Sequence, residues 1–236
     1  MTDSTDRKPL ALLIPGLDGT GKFYERHVAA LAARYRVLAW EYRRCESFDF
    51  SDLVDELGAA TRAEESGSVA VVGESFGGTV AMHYVLSYAE RVRTLILINT
   101  FPSYRRQLRI RLACRLVPLL RLRGFSAVKD YIVDRTLKSE GIPETGRRRY
   151  HEIVRLVHMP AYRRRLELVR DAALRSRLGE IRVPTLILAA GRDKVVPSVA
   201  EAHYMAKHIP QTRVVVLPHA GHALLLTPGF SLADYL

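Results

Sequence analysis

Apolar residues occur along this chain in two rhythms. Six short runs are apolar, apart from an opening Arg36, Thr94, Thr185 or Arg213 in four of them, at residues 10–14, 36–40, 69–72, 94–98, 185–189 and 213–217. Continuous runs of this length, rich in Val, Ile and Leu, predict strands buried on both faces, as in a parallel sheet. Between them apolar residues recur every three to four positions, the spacing of a helix with one buried face. One such pattern spans 22–35, with Val28, Leu31, Ala32 and Tyr35 together. A second spans 51–63, with Leu53, Val54, Leu57 and Ala60 inward and Asp52, Asp55 and Glu56 near its start, where the helix dipole favours negative charge. A third begins just after Ser75. A fourth starts at Ser198-Val199-Ala200-Glu201, read as a capping box, and stops at Pro210. Strands alternating with helices predict an α/β fold with a doubly wound, mainly parallel six-stranded sheet.

The alternation stops after residue 98 and resumes at 185. The segment between is helical in pattern and punctuated by Pro118, Gly124, Gly141, Pro143 and Pro160. Four helices are expected there, at 103–120, 125–138, 144–157 and 161–177. In the first, Leu108, Leu112, Leu116 and Leu119 form an apolar stripe on an arginine-rich background. An insertion of this kind cannot enter the sheet. It is expected to form an all-helical cap (101–182) over the C-terminal sheet edge of a core made of 1–100 and 183–236, where open α/β sheets bind ligands.

Composition narrows the class. The chain has 236 residues, 48% of them hydrophobic, enough for one sizeable core. Residues 1–8 are polar and charged, and no stretch approaches the roughly 20 apolar residues of a membrane span. Cys45 and Cys114 are the only cysteines and imply no disulfide framework. A cytoplasmic protein with reduced thiols is the expectation. The net charge is +11, but residues 101–182 carry 21 Lys and Arg against 8 Asp and Glu, and the remainder 15 against 17. The basicity belongs to the insertion.

The chemistry centres on Gly73-Glu74-Ser75-Phe76-Gly77, between the third apolar run and the third helical pattern. A serine at such a strand-to-helix corner is held in a strained turn with its hydroxyl raised above the sheet edge. Flanking glycines are needed where strand and helix backbones pass close together. A serine hydroxyl needs a base, usually a histidine oriented by a carboxylate. Asp193 follows the fifth strand in Gly191-Arg192-Asp193-Lys194-Val195-Val196-Pro197. His222 follows the last strand in His219-Ala220-Gly221-His222. Ser75, Asp193, His222 is the chain order this architecture uses. Asp193 could instead cap its own loop, and His219 competes for the role of base; His222 is preferred because it follows a glycine. Glu74 is read as a wall or structural carboxylate. Two N–H groups are candidates for an oxyanion hole: Phe76, after the serine, and Leu17, in the loop Pro15-Gly16-Leu17-Asp18-Gly19-Thr20-Gly21. A glycine-rich loop before a helix can also cradle phosphate, but Gly21-Lys22-Phe23 lacks the hydroxyl of a P-loop. No cofactor or metal is called for.

On the elbow, the Asp193 loop and the Ala-Gly-His loop, over roughly residues 9–100 and 183–236, the chain resembles the α/β-hydrolase superfamily, in its small capped serine esterase and acyl-hydrolase branch. The resemblance implies carboxylic ester hydrolysis through an acyl-enzyme on Ser75. A thioesterase or acyltransferase with the same triad, or a non-catalytic receptor of the fold, are the alternatives. The loop usually written His-Gly is Pro15-Gly16 here, and its Pro-Gly-Leu-Asp-Gly-Thr-Gly run resembles a subgroup with lipid acyltransferase-like members. The sheet is expected to begin at the strand bearing this loop, without the antiparallel strands that often precede it. For the basic insertion, densest at Arg147-Arg148-Arg149 and Arg163-Arg164-Arg165, four readings stand. These are a solvated helix face, docking of an acidic acyl-carrier protein as on the basic cap of the resembling carrier-protein methyl esterases, attraction of the 103–123 segment to anionic lipid, and an arginine holding a carboxylate-bearing ester. None involves the arginines in bond making, and nucleic acid is disfavoured for want of a recognition motif.

Overall fold

The computed structural model describes residues 8–43, 45–64, 67–105, 107–116, 130, 131, 133, 134 and 137–236. Six parallel strands form one sheet: β1 (Leu10–Ile14), β2 (Arg36–Ala39), β3 (Val69–Glu74), β4 (Val92–Ile98), β5 (Thr185–Ala190) and β6 (Thr212–Leu217), in the order β2-β1-β3-β4-β5-β6. Every residue of β1 is buried. Successive side chains leave opposite faces of a strand, and β1 divides accordingly. Leu10, Leu12 and Ile14 join one apolar cluster, with Leu53, Leu57, Val80, Met82 and Met205. Ala11 and Leu13 join another, with Leu31, Leu224, Leu225 and Leu232. Helices α2 (Phe50–Ala60), α3 (Phe76–Tyr88) and α7 (Ser198–Ala206) supply the first cluster. Helix α1 (Glu25–Ala32) and the C-terminal turns supply the second. The doubly wound arrangement follows from strands apolar on both sides.

Local details depart from the sequence reading. The 22–35 helix opens as a 3-10 turn at Lys22–Tyr24, because Gly21 turns the chain with φ 69°, and α1 itself ends at Ala32. Its buried face carries His27 and Leu31, and Ala32 lies outside. In α2 it is Gly58 that is buried, against Tyr88, and Ala60 that is exposed. The capping box predicted at Ser198 does not form: Pro197 is the N-cap, the Ser198 hydroxyl donates to Asp193, and Glu201 accepts two bonds from Arg175. The box that does form is at α2, where Asp49 accepts from the Ser51 and Asp52 N–H groups and Asp52 accepts from Asp49.

The insertion between β4 and β5 is helical, with α4 (Gln107–Leu116), α5 (Glu144–Val154) and α6 (Met159–Asp171), then a 3-10 stretch at Arg175–Glu180. Most of the helix expected at 125–138, residues 117–120 of the first and the 117–123 end of the suggested lipid-binding segment lie outside the described residues. The first half of the leucine stripe is not the buried face of α4, although Leu116 at its end is half-buried. Leu108 is 83% and Leu112 56% exposed, whereas Ile110 is 6% exposed and Cys114 packs beside it. Residues four apart share a face, and α4 meets the core through Ile110 and Cys114 on the opposite face. Cys45 and Cys114 are both free thiols. Among the described residues no helix is long and apolar enough to cross a membrane.

Candidate active site

Ser75 joins β3 to α3 with φ 52° and ψ −121°, a conformation rare for a side-chain-bearing residue. Holding it costs on the order of 1–3 kcal/mol, and the surrounding contacts over-determine it. The Ser75 N–H donates to the Ile98 carbonyl (2.8 Å), and its own carbonyl accepts from Thr100 Oγ1 (2.6 Å). A Cβ on Gly73 would lie 2.5 Å from the Gly77 carbonyl oxygen, and one on Gly77 would collide with the Ile14 carbonyl. The glycines are therefore steric requirements of the elbow. Phe76, the first residue of α3, has an N–H with no acceptor inside the helix.

Asp193 leaves β5 and accepts the Val195 and Val196 N–H groups at 2.8 and 2.9 Å through Oδ1. Its Oδ2 receives the Ser198 hydroxyl and lies 2.8 Å from His222 Nδ1. His222 Nε2 lies 3.2 Å from Ser75 Oγ. With Nδ1–H donated to the carboxylate, Nε2 is left as acceptor for the serine proton. The structure thus brings Ser75, Asp193 and His222 together and leaves His219 out: its exposed ring faces Arg192 (Nδ1 to Nη2, 3.3 Å).

Two residues that the sequence reading missed hold this arrangement. Asn99, buried with φ 47°, donates from Nδ2 to the Gly221 and His222 carbonyls at 3.3 and 3.0 Å and accepts the Ala190 N–H at 2.8 Å. It ties β4, β5 and the histidine loop at one point. Glu140, from the insertion and 1% exposed, packs so closely on Gly221 that any side chain there would strike its carboxyl. An Asn directly after an apolar strand was a readable signal, since Asn tolerates left-handed backbone; Glu140 carried none.

Charge is concentrated here. Burial works against ionisation of Asp193, but the His222 charge and the hydrogen bonds from His222 and Ser198 hold its carboxyl below the usual range. Burial likewise disfavours the imidazolium of His222. Asp193 outweighs it, and with Glu74 and Glu140 pushes the ring up to about 9. Glu74 is itself pushed up to about 7, mainly by burial and then by the Asp18 and Asp193 charges, against the pull of His222. Its Oε1 lies 3.9 Å from His222 Nε2, the nitrogen that faces the serine.

The 15–21 loop is held from several sides. Tyr24 and Tyr42 hydroxyls donate to the Ile14 and Pro15 carbonyls at 3.0 and 3.1 Å. Asp18 Oδ2 accepts the Thr20 N–H and hydroxyl, and the Gly19 N–H reaches the Gly16 carbonyl at 3.2 Å. In a trans peptide N–H and C=O point oppositely, so the Leu17 N–H is directed away from that turn. Leu17 lines a cavity of about 410 Å³ with Ser75, Glu74 and His222, walled mainly by apolar side chains that include Phe23, Tyr150, Met159, Tyr162 and Leu166. Among the described residues no cluster of His, Cys, Asp and Glu could hold a metal ion.

Five of the six arginines in the two runs are engaged within the protein, and Arg148 stands exposed. Arg147 pairs with Asp134, and Arg149 with Glu25 and Glu152. Arg163 and Arg164 share Glu167, and Arg164 also donates to the Phe48 carbonyl. Arg165 is 2% exposed and bonds to the 15–21 loop. Arg165 is therefore turned inward and does not belong to the surface expected of this run for an anionic partner. Capture of an acidic carrier or an anionic surface by these runs gains no support from the arrangement.

Comparison with known proteins agrees with the fold. Residues 11–234 match the model of a family described as "Alpha/beta hydrolase family". Two similar proteins, each named "Putative carbamate hydrolase RutD", come from Serratia proteamaculans and Pantoea ananatis. They are 24% and 27% identical over 94% and 92% of this chain and 87% and 82% of their own. A hydrolase structure from Pseudomonas aeruginosa superposes with a TM-score of 0.80 at 23% identity, covering 94% of this chain and 85% of that one. MenH from S. aureus gives 0.76 at 21%, covering 97% and 91%. At these identities the two structures speak for the fold alone.

Proposed function

We propose that this chain, which belongs to the alpha/beta hydrolase family, is a serine hydrolase that cleaves carboxylic esters through an acyl-enzyme on Ser75. The observation that carries the reading is the continuous contact from Asp193 Oδ2 to His222 Nδ1 (2.8 Å) and from Nε2 to Ser75 Oγ (3.2 Å), on a serine held at positive φ. His222 takes the Ser75 proton as Oγ attacks the carbonyl carbon. The charge on the carbonyl oxygen is met by the N–H groups of Phe76 and Leu17. Asp193 keeps the ring oriented and stabilises the imidazolium. As the tetrahedral adduct collapses, His222 gives its proton to the leaving alcohol. A water deprotonated by His222 then attacks the acyl carbon, and Ser75 leaves with that proton. No step needs a metal. Residues 101–182 act as a cap, since Tyr150, Met159, Tyr162 and Leu166 wall the cavity that holds the serine, and this apolar wall favours an uncharged acyl group.

A second reading, a carbamate in place of the ester, draws on the names of the similar proteins. It uses the same Ser75, His222 and Asp193, with a carbamoyl-enzyme in place of the acyl-enzyme. Matched nitrophenyl esters, thioesters and carbamates separate the readings. The expected result is fastest turnover on esters, a nitrophenolate burst equal to the enzyme present where deacylation is slow, and fluorophosphonate labelling at Ser75. Ser75→Ala should lose several orders of magnitude in kcat, as loss of a triad member does. Labelling at another serine, or near-normal turnover in that variant, would refute the assignment. Turnover of carbamates alone would transfer it to the second reading.

A further inference from the structure

Arg165 is among the largest fully buried side chains of the described residues and lies on α6, inside the insertion. A guanidinium out of water is costly unless its donors are satisfied by hydrogen bonds. Its donors go to consecutive main-chain carbonyls of the 15–21 loop: Nε to Leu17 (3.0 Å) and Nη2 to Asp18 (3.2 Å). The Tyr42 ring lies 5.5 Å from its central carbon, and the same tyrosine's hydroxyl holds the Pro15 carbonyl. The loop is moulded on the guanidinium: Gly19 stands at φ 74°, and a Cβ there would lie 2.7 Å from the Arg165 carbon. The carbonyls that Arg165 grips are those of Leu17, which lines the cavity, and of the residue after it, while the Gly16 carbonyl before Leu17 is fixed by the Gly19 N–H.

We infer that Arg165 is a positioning residue of the reaction: from the insertion it fixes the Leu17 and Asp18 carbonyls, and so keeps the Leu17 N–H aimed at the developing oxyanion. The cap is thereby part of the oxyanion machinery as well as a wall of the pocket. This rests on the serine-hydrolase reading above. The planar fork matters, because its donors are fixed relative to one another, whereas a Lys ammonium turns freely on a flexible stem.

The test compares Arg165→Lys and Arg165→Met with the wild-type chain on a neutral nitrophenyl ester. Rates are expressed per active site titrated with a fluorophosphonate at Ser75, so that any loss of folded protein cancels. Removing an oxyanion donor outright typically costs about 10²–10³ in kcat, and a misplaced donor costs part of that. Per-site kcat should fall about 10-fold in the Lys variant and about 100-fold in the Met variant, as rough values on that scale, with KM within about threefold. The affinity of an alkylboronic acid, whose tetrahedral adduct occupies the oxyanion site, should fall in parallel with kcat/KM. If per-site kcat in both variants stays within twofold of wild type, or the loss falls on KM alone, Arg165 serves packing only and the inference is overturned. If Arg165→Met gives no titratable sites, the Lys variant alone decides on the same criteria. Wild-type protein that neither turns over the ester nor labels at Ser75 would bring down the serine-hydrolase reading and this inference with it; an active wild type with unaffected variants would bring down only this one.

Discussion

Replacing Glu74 by Gln should make the enzyme more active at neutral pH. The carboxylate lies 3.9 Å from His222 Nε2. Two unit charges at that distance interact by about 1 kcal/mol in bulk water and by about 4 kcal/mol at an effective dielectric of 20. At 1.36 kcal/mol per unit this amounts to a shift of roughly 1–3 pKa units on the imidazole. The sign follows from what His222 must do. It acts as a base only when neutral, so the acid limb of kcat/KM tracks its deprotonation in the free enzyme. In the wild type that step is pushed up to about 9 by Asp193, with Glu74 and Glu140 adding to it, while Glu74 titrates near 7. Above pH 7 Glu74 is therefore charged and holds the proton on His222. Gln has nearly the same shape and no charge. The acid limb of Glu74→Gln should lie between about pH 6 and 8, and kcat/KM at pH 7.5 should rise about tenfold. The assay is kcat/KM on a neutral ester from pH 5.5 to 10.5 at constant ionic strength, with the spontaneous rate subtracted. An acid limb unchanged or moved upward in the variant would refute the assignment of Glu74 as a charge partner of the base. A lower plateau at high pH, with the limb moved down, would leave that assignment standing and report a separate contribution of the carboxyl to orientation.

Further outcomes follow from the same geometry. His222→Ala should lose as much kcat as Ser75→Ala, with little further loss in the double variant because the two act as one unit, whereas His219→Ala, altering a ring that faces Arg192 at the surface, should keep at least about a tenth of the rate; the reverse order in steady-state kinetics would move the base to His219. Gly221→Ala places a methyl group against the Glu140 carboxyl. It should cost about 1–3 kcal/mol in denaturant unfolding, typical of overpacking, together with a loss of kcat as His222 is displaced; a variant with wild-type stability and kcat would show that Glu140 does not brace the histidine loop.

Much of this protein was legible in its sequence because the physics involved is local. Short apolar runs bounded by turn residues and alternating with helical patterns read as strands of a parallel sheet, so all six strands and the α/β class follow from them, although the edge strands β2 and β6 are only half-covered. The elbow was legible for a similar reason: Gly73 and Gly77 stand where backbones touch, and no other residue fits. Asp193 and His222 could be paired with Ser75 because parallel strands deliver their following loops to one edge of the sheet. What tertiary structure alone decided involves faces and partners chosen over long separations. Leu108 and Leu112 of α4 looked like part of a core stripe, but helical periodicity does not say which face meets the protein, and there Ile110 and Cys114 pack inward. Ser198 and Glu201 had the spacing of a capping box. Ser198 instead lies inside the helix behind the Pro197 N-cap, its hydroxyl donates to Asp193, and Arg175 takes Glu201. Arg163, Arg164 and Arg165 are one run in sequence, yet only Arg165 is carried inward by α6 to bond with a loop nearly 150 positions away. Composition registers such a residue as one more positive charge. The fold converts it into two hydrogen bonds, because burial leaves a guanidinium no solvent and only nearby main-chain carbonyls to satisfy it.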